Sequence, residues 1–199
     1  MDAANPAIRR LCIGVSFGWA RARGASDRCA QTGELINVLD DACRDAPLDR
    51  ALWHCQPQGD GELALLPPGV DEGYVIADFI REAGRVLYRH NQNIDQGSRL
   101  RLRIAFHQGI THIADSGYTG PAVAVICGLL DSQPLAHALI GNLSADLAVI
   151  VSQQIFEDVI QHDSYDLRAA EFVPVRIESP EENRTTAWIR IPGRELPPC

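Results

Sequence analysis

Between Arg99 and Phe106 the chain alternates charge with aliphatic bulk: Arg99, Arg101 and Arg103 interleave with Leu100, Leu102, Ile104 and Phe106. A period of two with one apolar set predicts a strand that buries one face and holds three guanidinium groups on the other. Gln108-Gly109 breaks the pattern and predicts a turn, with Ile110 to Ile113 returning as a partner strand. Gly117 and Gly120 then lead through Pro121 into an apolar run of helical length ending near Leu130. A hairpin followed by a glycine-rich turn and a helix start is an arrangement whose backbone N–H groups can face a phosphate.

The rest of the chain arranges itself around that stretch. Residues 8 to 18 read as a first strand with Leu11, Ile13 and Val15 on one side, and Ser26 or Asp27 is placed to cap a helix running to Cys43. Leu52 to Gln58 and Glu62 to Leu66 read as two short strands around Gly59-Asp60-Gly61, a compact turn with Asp60 between two residues free to take positive φ. From Asp71 to His90, apolar residues at 75, 76, 79, 80, 83, 86 and 87 follow the 3.6-residue period, with acids in the first turn and bases in the last. Leu135 to Ile140 suggests a helical turn or two, and Leu147 to Val151 a buried strand. Ser152 caps a short helix through Phe156, and EFVPVRIES with TAWIRIPG forms a final hairpin whose Pro174 marks an edge strand.

These elements predict an α+β fold of ferredoxin-like type, a mostly antiparallel sheet with helices packed on it. Residues 1–192 read as one domain and 193–199 as a loose Pro-rich tail. A chain of 199 residues can bury about 70% of its unfolded surface, enough for a self-sufficient core. No apolar run approaches the roughly 20 residues that span a bilayer, so no membrane association is expected. The early apolar segment is broken by Gly14, Ser16 and Gly18 and reads as a strand and not a signal peptide.

Charge narrows the chemistry. All 18 basic residues are arginine, which excludes a Walker-type phosphate loop, a Schiff-base lysine and a lysine general base. The net charge of −8 removes the driving force for sequence-independent nucleic-acid binding. Cysteines at 12, 29, 43, 55, 127 and 199 form no CxxC pair, which fits free thiols in a reducing cytoplasm.

Candidate groups follow, each with a bland alternative. Asp60 is either a ligand for one metal or a turn residue between glycines. His107 and His112, placed across the Gly109 turn, would face each other as metal ligands, but no third ligand is evident and packing is the preferred role. The Arg99, Arg101, Arg103 stripe either meets phosphates or an acidic partner, or is a solvated strand face. Trp19 and Trp53 frame a base-sized pocket or fill the core, with the core preferred. Ser16 and Ser152 lack a His and Asp pattern for a triad, and Ser152 is better used as a cap.

The Gly59-Asp60-Gly61 hairpin, the long helix, the LRIAFHQG strand and the GPAVAV turn occur in an order that resembles the catalytic domain of class III nucleotide cyclases, in particular compact forms from high-GC bacteria. The resemblance runs from the first strand to the final AWIRI strand. It implies two aspartates, one on the first strand and one in the GD hairpin, holding two metal ions that activate a ribose hydroxyl and neutralise a triphosphate. It also implies an asparagine and an arginine supplied by a partner subunit, and two positions that read the base.

Carried over residue by residue, that equipment is incomplete. Gly14 or a neighbour stands for the first metal aspartate, Asp60 keeps the second place between Gly59 and Gly61, and Gln56 stands for a base-reading lysine. Asp115 or Gly117 matches the other base-reading position, Gly120 opens the turn, and Ala124 and Gly128 stand for the asparagine and the arginine. One carboxylate does not hold two magnesium ions against water. Loss of the arginine alone costs phosphoryl transfer about 10³ to 10⁵ by analogy with arginine fingers. The resemblance therefore implies a catalytically degenerate cyclase homology domain, with no intact catalytic set, acting as a nucleotide-sensing or protein-interaction module. It implies a homodimer, or a heterodimer with a related chain, with a nucleotide, Mg2+ or Mn2+ and a regulatory protein as possible ligands. The rivals are a divergent active cyclase using Asp60 with Asp115 or Glu62, and a scaffold that binds no nucleotide.

Overall fold

The computed structural model describes residues 7–18, 25–114, 117–178 and 184–193. Its elements are β1 (Ile8–Phe17), α1 (Ala25–Asp45), β2 (His54–Gln58), β3 (Gly61–Leu65), α2 (Glu72–Asn91), β4 (Leu102–Ala114), β5 (Gly117–Thr119), α3 (Pro121–Leu130), α4 (Gln133–Ile140), β6 (Leu147–Ser152), α5 (Gln153–Asp158), β7 (Val173–Ile177) and β8 (Thr185–Arg190). One sheet runs in the order β2-β3-β1-β4-β6-β8-β7, with β5 paired to the far end of β4. All of its pairings are antiparallel except β4 with β6.

Alternation along β1 explains the layers. Leu11, Ile13, Val15 and Phe17 face α1 and α2, where they meet Leu35, Leu39, Ile76, Phe79 and Ile80. Cys12 faces the other way, into a second apolar layer built by Ala122, Ile126, Leu129 and Leu130 of α3 and Leu135 and Leu139 of α4. The sheet is thus covered on both faces, and β6, buried at all six positions, is correspondingly apolar throughout. α2 begins where the periodicity places it: the Asp71 carboxylate accepts a hydrogen bond from Tyr74 N at 3.0 Å and caps the helix. Ser152 caps α5 in the same way through Ile155 N. β7, which carries Pro174, lies at the sheet edge.

Several local expectations change. Gln108-Gly109 is not a turn: β4 runs straight through it, with Gly109 opposite Arg10 in the β1 ladder. The glycine serves packing, because a Cβ there would lie 3.0 Å from Ala122 Cβ, where α3 crosses the strand. The chain instead reverses after Ala114, and β5 pairs back onto residues 112–114. β2 starts at His54, since Asp49 caps a short 3-10 turn over Arg50–Leu52 by accepting from Ala51 N. α1 starts at Ala25, which puts Ser26 and Asp27 inside its first turn. Residues 194–199, the expected tail, lie outside the described residues, as does Trp19.

The arginine stripe is not a solvated strand face. The strand begins only at Leu102, and Arg101 donates to the carbonyls of Leu139, Asn142 and Ala145 at 2.6, 2.6 and 2.7 Å. Arg103 donates to Phe17 O and Leu130 O at 3.0 and 3.2 Å, and Arg99 lies 4.0 Å from Asp146. Carbonyls at the ends of α3 and α4 have no partner within their own helices, and a guanidinium fork satisfies several at once.

The segment Pro121–Ile140 is long and apolar enough to cross a membrane by length and composition, against the expectation from the sequence. In the fold it is two helices, α3 of 10 residues and α4 of 8, divided after Leu130. Each contributes fully buried side chains to the sheet's second apolar layer.

Candidate functional site

The Gly59-Asp60-Gly61 hairpin sits on the end of β1. Gln58 pairs with Gly61, so Gly59 and Asp60 form the turn, and Gly59 takes a left-handed φ of 58°. A Cβ at Gly61 would overlap the carbonyl oxygen of Val15 and lie 2.8 Å from Ser16 Cα. Only glycine lets the hairpin close onto β1 at this point. Asp60 is exposed at the tip. Its carboxyl lies above the usual range because the surrounding protein desolvates it, with Asp131 adding repulsion and Arg103 acting in the opposite sense.

A metal pair needs further carboxylates beside Asp60. Gly14 pairs with Leu63 on one side and Ala105 on the other, and a Cβ there would lie 2.6 Å from Leu130 Cδ1 and 3.1 Å from Ile126 Cγ1. The space is filled by α3. Ser16, two residues on and next to Gly61, is buried with a hydroxyl that has no partner. Glu62 is committed elsewhere: Arg50 Nη1 and Nη2 donate to its two oxygens at 2.7 and 2.9 Å, with both side chains largely buried. Arg50 also donates to Asp40 at 2.6 Å. Among the described residues no group of three or more His, Cys, Asp or Glu side chains could hold a metal ion. The residues present do not fit a two-metal centre, and no chemical step is routed through one.

The positions that the resemblance assigns to base reading are brought together. Gln56 Oε1 accepts from Tyr118 N at 2.9 Å and Gln56 Nε2 lies 3.4 Å from Tyr118 O. Gly117, with φ 117°, lies so close that a Cβ there would be 2.6 Å from Gln56 Oε1. The Tyr118 ring packs against His54 at 5.1 Å between centroids, and the Arg10 guanidinium lies 5.5 Å from the same ring. Asp115, the alternative to Gly117, lies outside the described residues.

Gly120, with φ 117°, is the N-cap of α3, and no side chain caps that helix. A Cβ at Gly120 would press on His112 Cδ2 and Ile110 O at 2.9 and 3.1 Å. Along α3, Ala124 is exposed and carries no functional group, and a Cβ at Gly128 would meet open space. His107 and His112 do not face each other, because β4 is continuous and an odd spacing puts them on opposite faces. His107 Nδ1 lies 3.0 Å from the Ser152 hydroxyl, and desolvation by burial, with Arg9 nearby, lowers its pKa to about 4. Trp53 packs on Phe79 in the core.

Two participants have no sequence signal. Tyr118 acts through its backbone, to which its residue type gives no clue. Arg50 is one arginine among 18, with only the capping Asp49 beside it to place it.

Comparison with solved structures accounts for the topology. The adenylate/guanylate cyclase/hydrolase from Silicibacter pomeroyi superposes with a TM-score of 0.59 at 18% identity, covering 94% of this chain and 99% of that one. The guanylate cyclase domain of RhGC from Catenaria anguillulae, in complex with GTP, superposes with a TM-score of 0.55 at 12% identity over 94% and 98%. A non-canonical dimeric guanylyl cyclase domain from Blastocladiella emersonii gives 0.54 at 12% identity over 94% and 98%. The fold is that of a nucleotide cyclase catalytic domain. No protein-family model matches the sequence, and no curated protein matches it.

Proposed function

We propose that this chain is a nucleotide cyclase homology domain that has lost two-metal catalysis and acts as a nucleotide-sensing or protein-interaction module. The observation that supports the reading is the state of the metal end of the cleft. Asp60 has Asp131 as its carboxylate neighbour but none on the first strand, Glu62 is gripped by Arg50, and Gly14 is covered by Leu130 and Ile126 of α3. The opposite half offers Ala124 and Gly128 where an amide and a guanidinium would be needed. Without a transition-state arginine and a first-strand carboxylate, neither a homodimer nor a heterodimer gains a complete set from this chain. A dimer remains part of the proposal, since the similar domain from Blastocladiella emersonii is found in a non-canonical dimeric form as well as a monomeric one.

The test is incubation of the purified protein with Mn2+ and each of ATP, GTP, CTP and UTP, followed by mass-spectrometric detection of cyclic mononucleotides. The expected result is no product above the protein-free control. Cyclic product that disappears in Asp60→Ala would establish a divergent active cyclase instead. A nucleotide that raises the melting temperature with the logarithm of its concentration above Kd distinguishes a sensing module from a scaffold, because ligand at about 100 times its Kd adds about 2.7 kcal/mol.

A further inference from the structure

The bridge between Gln56 and Tyr118 has a geometry that a simple packing contact does not require. A carboxamide offers one acceptor and one donor side by side, and a strand residue offers an N–H and a C=O. Here Gln56 Oε1 takes the Tyr118 N–H at 2.9 Å while Nε2 faces the Tyr118 carbonyl at 3.4 Å. The side chain of β2 therefore pairs with the backbone of β5 as a further strand residue would. The residues are 62 apart in sequence, so the bridge ties the β4–β5 arm to the sheet edge, with the His54 ring packed at a tilt against the Tyr118 ring beside it.

Two features at Gly117 hold the bridge in place. Its φ of 117° is strained for any residue with a side chain, and a Cβ would lie 2.6 Å from Gln56 Oε1 and push the amide away. The paired donor and acceptor that Gln56 meets are also what the amide-like edge of a nucleobase meets, an N–H donor beside a carbonyl acceptor.

We propose that the Gln56 carboxamide is an internal occupant of this edge, so that a nucleobase and the Gln56–Tyr118 bridge compete for the Tyr118 backbone and base binding requires the bridge to open. The inference rests on the reading of the cleft as a nucleotide site. It differs from the expectation that Gln56 reads a base, because the side chain that would read is already bonded within the chain.

Hydrogen exchange at the Tyr118 amide and calorimetric titration of ATP, GTP and inorganic tripolyphosphate, each on the wild type and Gln56→Ala, test it. The expected result is faster Tyr118 exchange in the variant, by about 10-fold or more for a lost hydrogen bond. ATP or GTP should bind the variant about 10-fold tighter, because the competing amide is gone. Tripolyphosphate, which has no base, should bind both proteins equally. Gln56→Glu, which keeps the acceptor and loses the donor, should lie between the two. Unchanged Tyr118 exchange overturns the bridge whatever the nucleotide does. Weaker nucleotide binding by Gln56→Ala overturns the competition and makes Gln56 a base-reading residue. Faster exchange with no nucleotide bound by either protein overturns the nucleotide reading while leaving the bridge intact.

Discussion

Arg50 holds Glu62 with two parallel hydrogen bonds of 2.7 and 2.9 Å, and both side chains are about one-seventh exposed. Glu62 lies beside the Gly59-Asp60-Gly61 tip, so the pairing occupies both oxygens of the acid nearest to Asp60 in sequence. A fork-to-fork pair of this kind is geometrically demanding and largely shielded from water.

Removing one partner leaves the other charge desolvated. Arg50→Ala should lower stability by about 3 kcal/mol, at the lower end for a broken buried pair because some exposure remains. Arg50→Ala with Glu62→Ala together should cost less than the single change. Urea unfolding of Arg50→Ala, Glu62→Ala and the double variant measures the coupling, and additive losses would mean that the pair does not act as a unit.

Restoring a carboxylate to the first strand should not restore a metal site at Gly14. A Cβ there would already lie 2.6 Å from Leu130 Cδ1, so Gly14→Asp adds overpacking of about 1–3 kcal/mol and a charge without a buried partner. The expected outcome is a lower melting temperature with no gain in Mn2+ binding. Leu130→Ala in the Gly14→Asp background should recover part of the stability by making room, and thermal unfolding reads both effects.

Arg101 joins carbonyls from three positions, Leu139, Asn142 and Ala145. A lysine ammonium is a compact donor that cannot span them, so Arg101→Lys should cost about 1–3 kcal/mol through lost hydrogen bonds to these carbonyls. Hydrogen exchange should rise at the end of α4 and leave α2 unchanged. Equal protection in both proteins would show that the guanidinium is dispensable.

His107 predicts a pH dependence. His107 Nδ1 lies 3.0 Å from the Ser152 hydroxyl, which also accepts from Ile155 N at 3.3 Å, and the ring is buried between strand and helix without an acidic partner among the described residues. Burial holds the imidazole pKa near 4 against a usual 6.5. The depressed value means that the unfolded chain takes up the proton first. The stabilisation is therefore complete above pH 6.5 and is lost as pH falls from 6.5 towards 4, on the order of 2 kcal/mol. Denaturant midpoints at pH 7.5 and pH 5 should differ more in the wild type than in His107→Gln.

What the sequence determined by itself was local. The 3.6-residue period and the Asp71 cap specify α2, the alternation around Leu102 to Phe106 specifies the heart of β4, and glycines around Asp60 specify a tight turn. Those signals survive because each is written within a few neighbouring residues, and their order along the chain was enough to suggest the cyclase fold. The fate of the charged groups was decided only by tertiary structure. Arg103 meets Phe17 across 86 residues, Gln56 meets Tyr118 across 62, and Arg50 meets Glu62 across 12. A guanidinium or a carboxamide reads the same in sequence whether it waits for a ligand or is already bonded. The same holds for backbone at Gly109, an extended residue kept small because a Cβ there would come within 3.0 Å of Ala122 on α3. The Gly59-Asp60-Gly61 tip kept its expected form because hairpin geometry is local, while the partners around Asp60 depend on how β1, β3 and α3 converge.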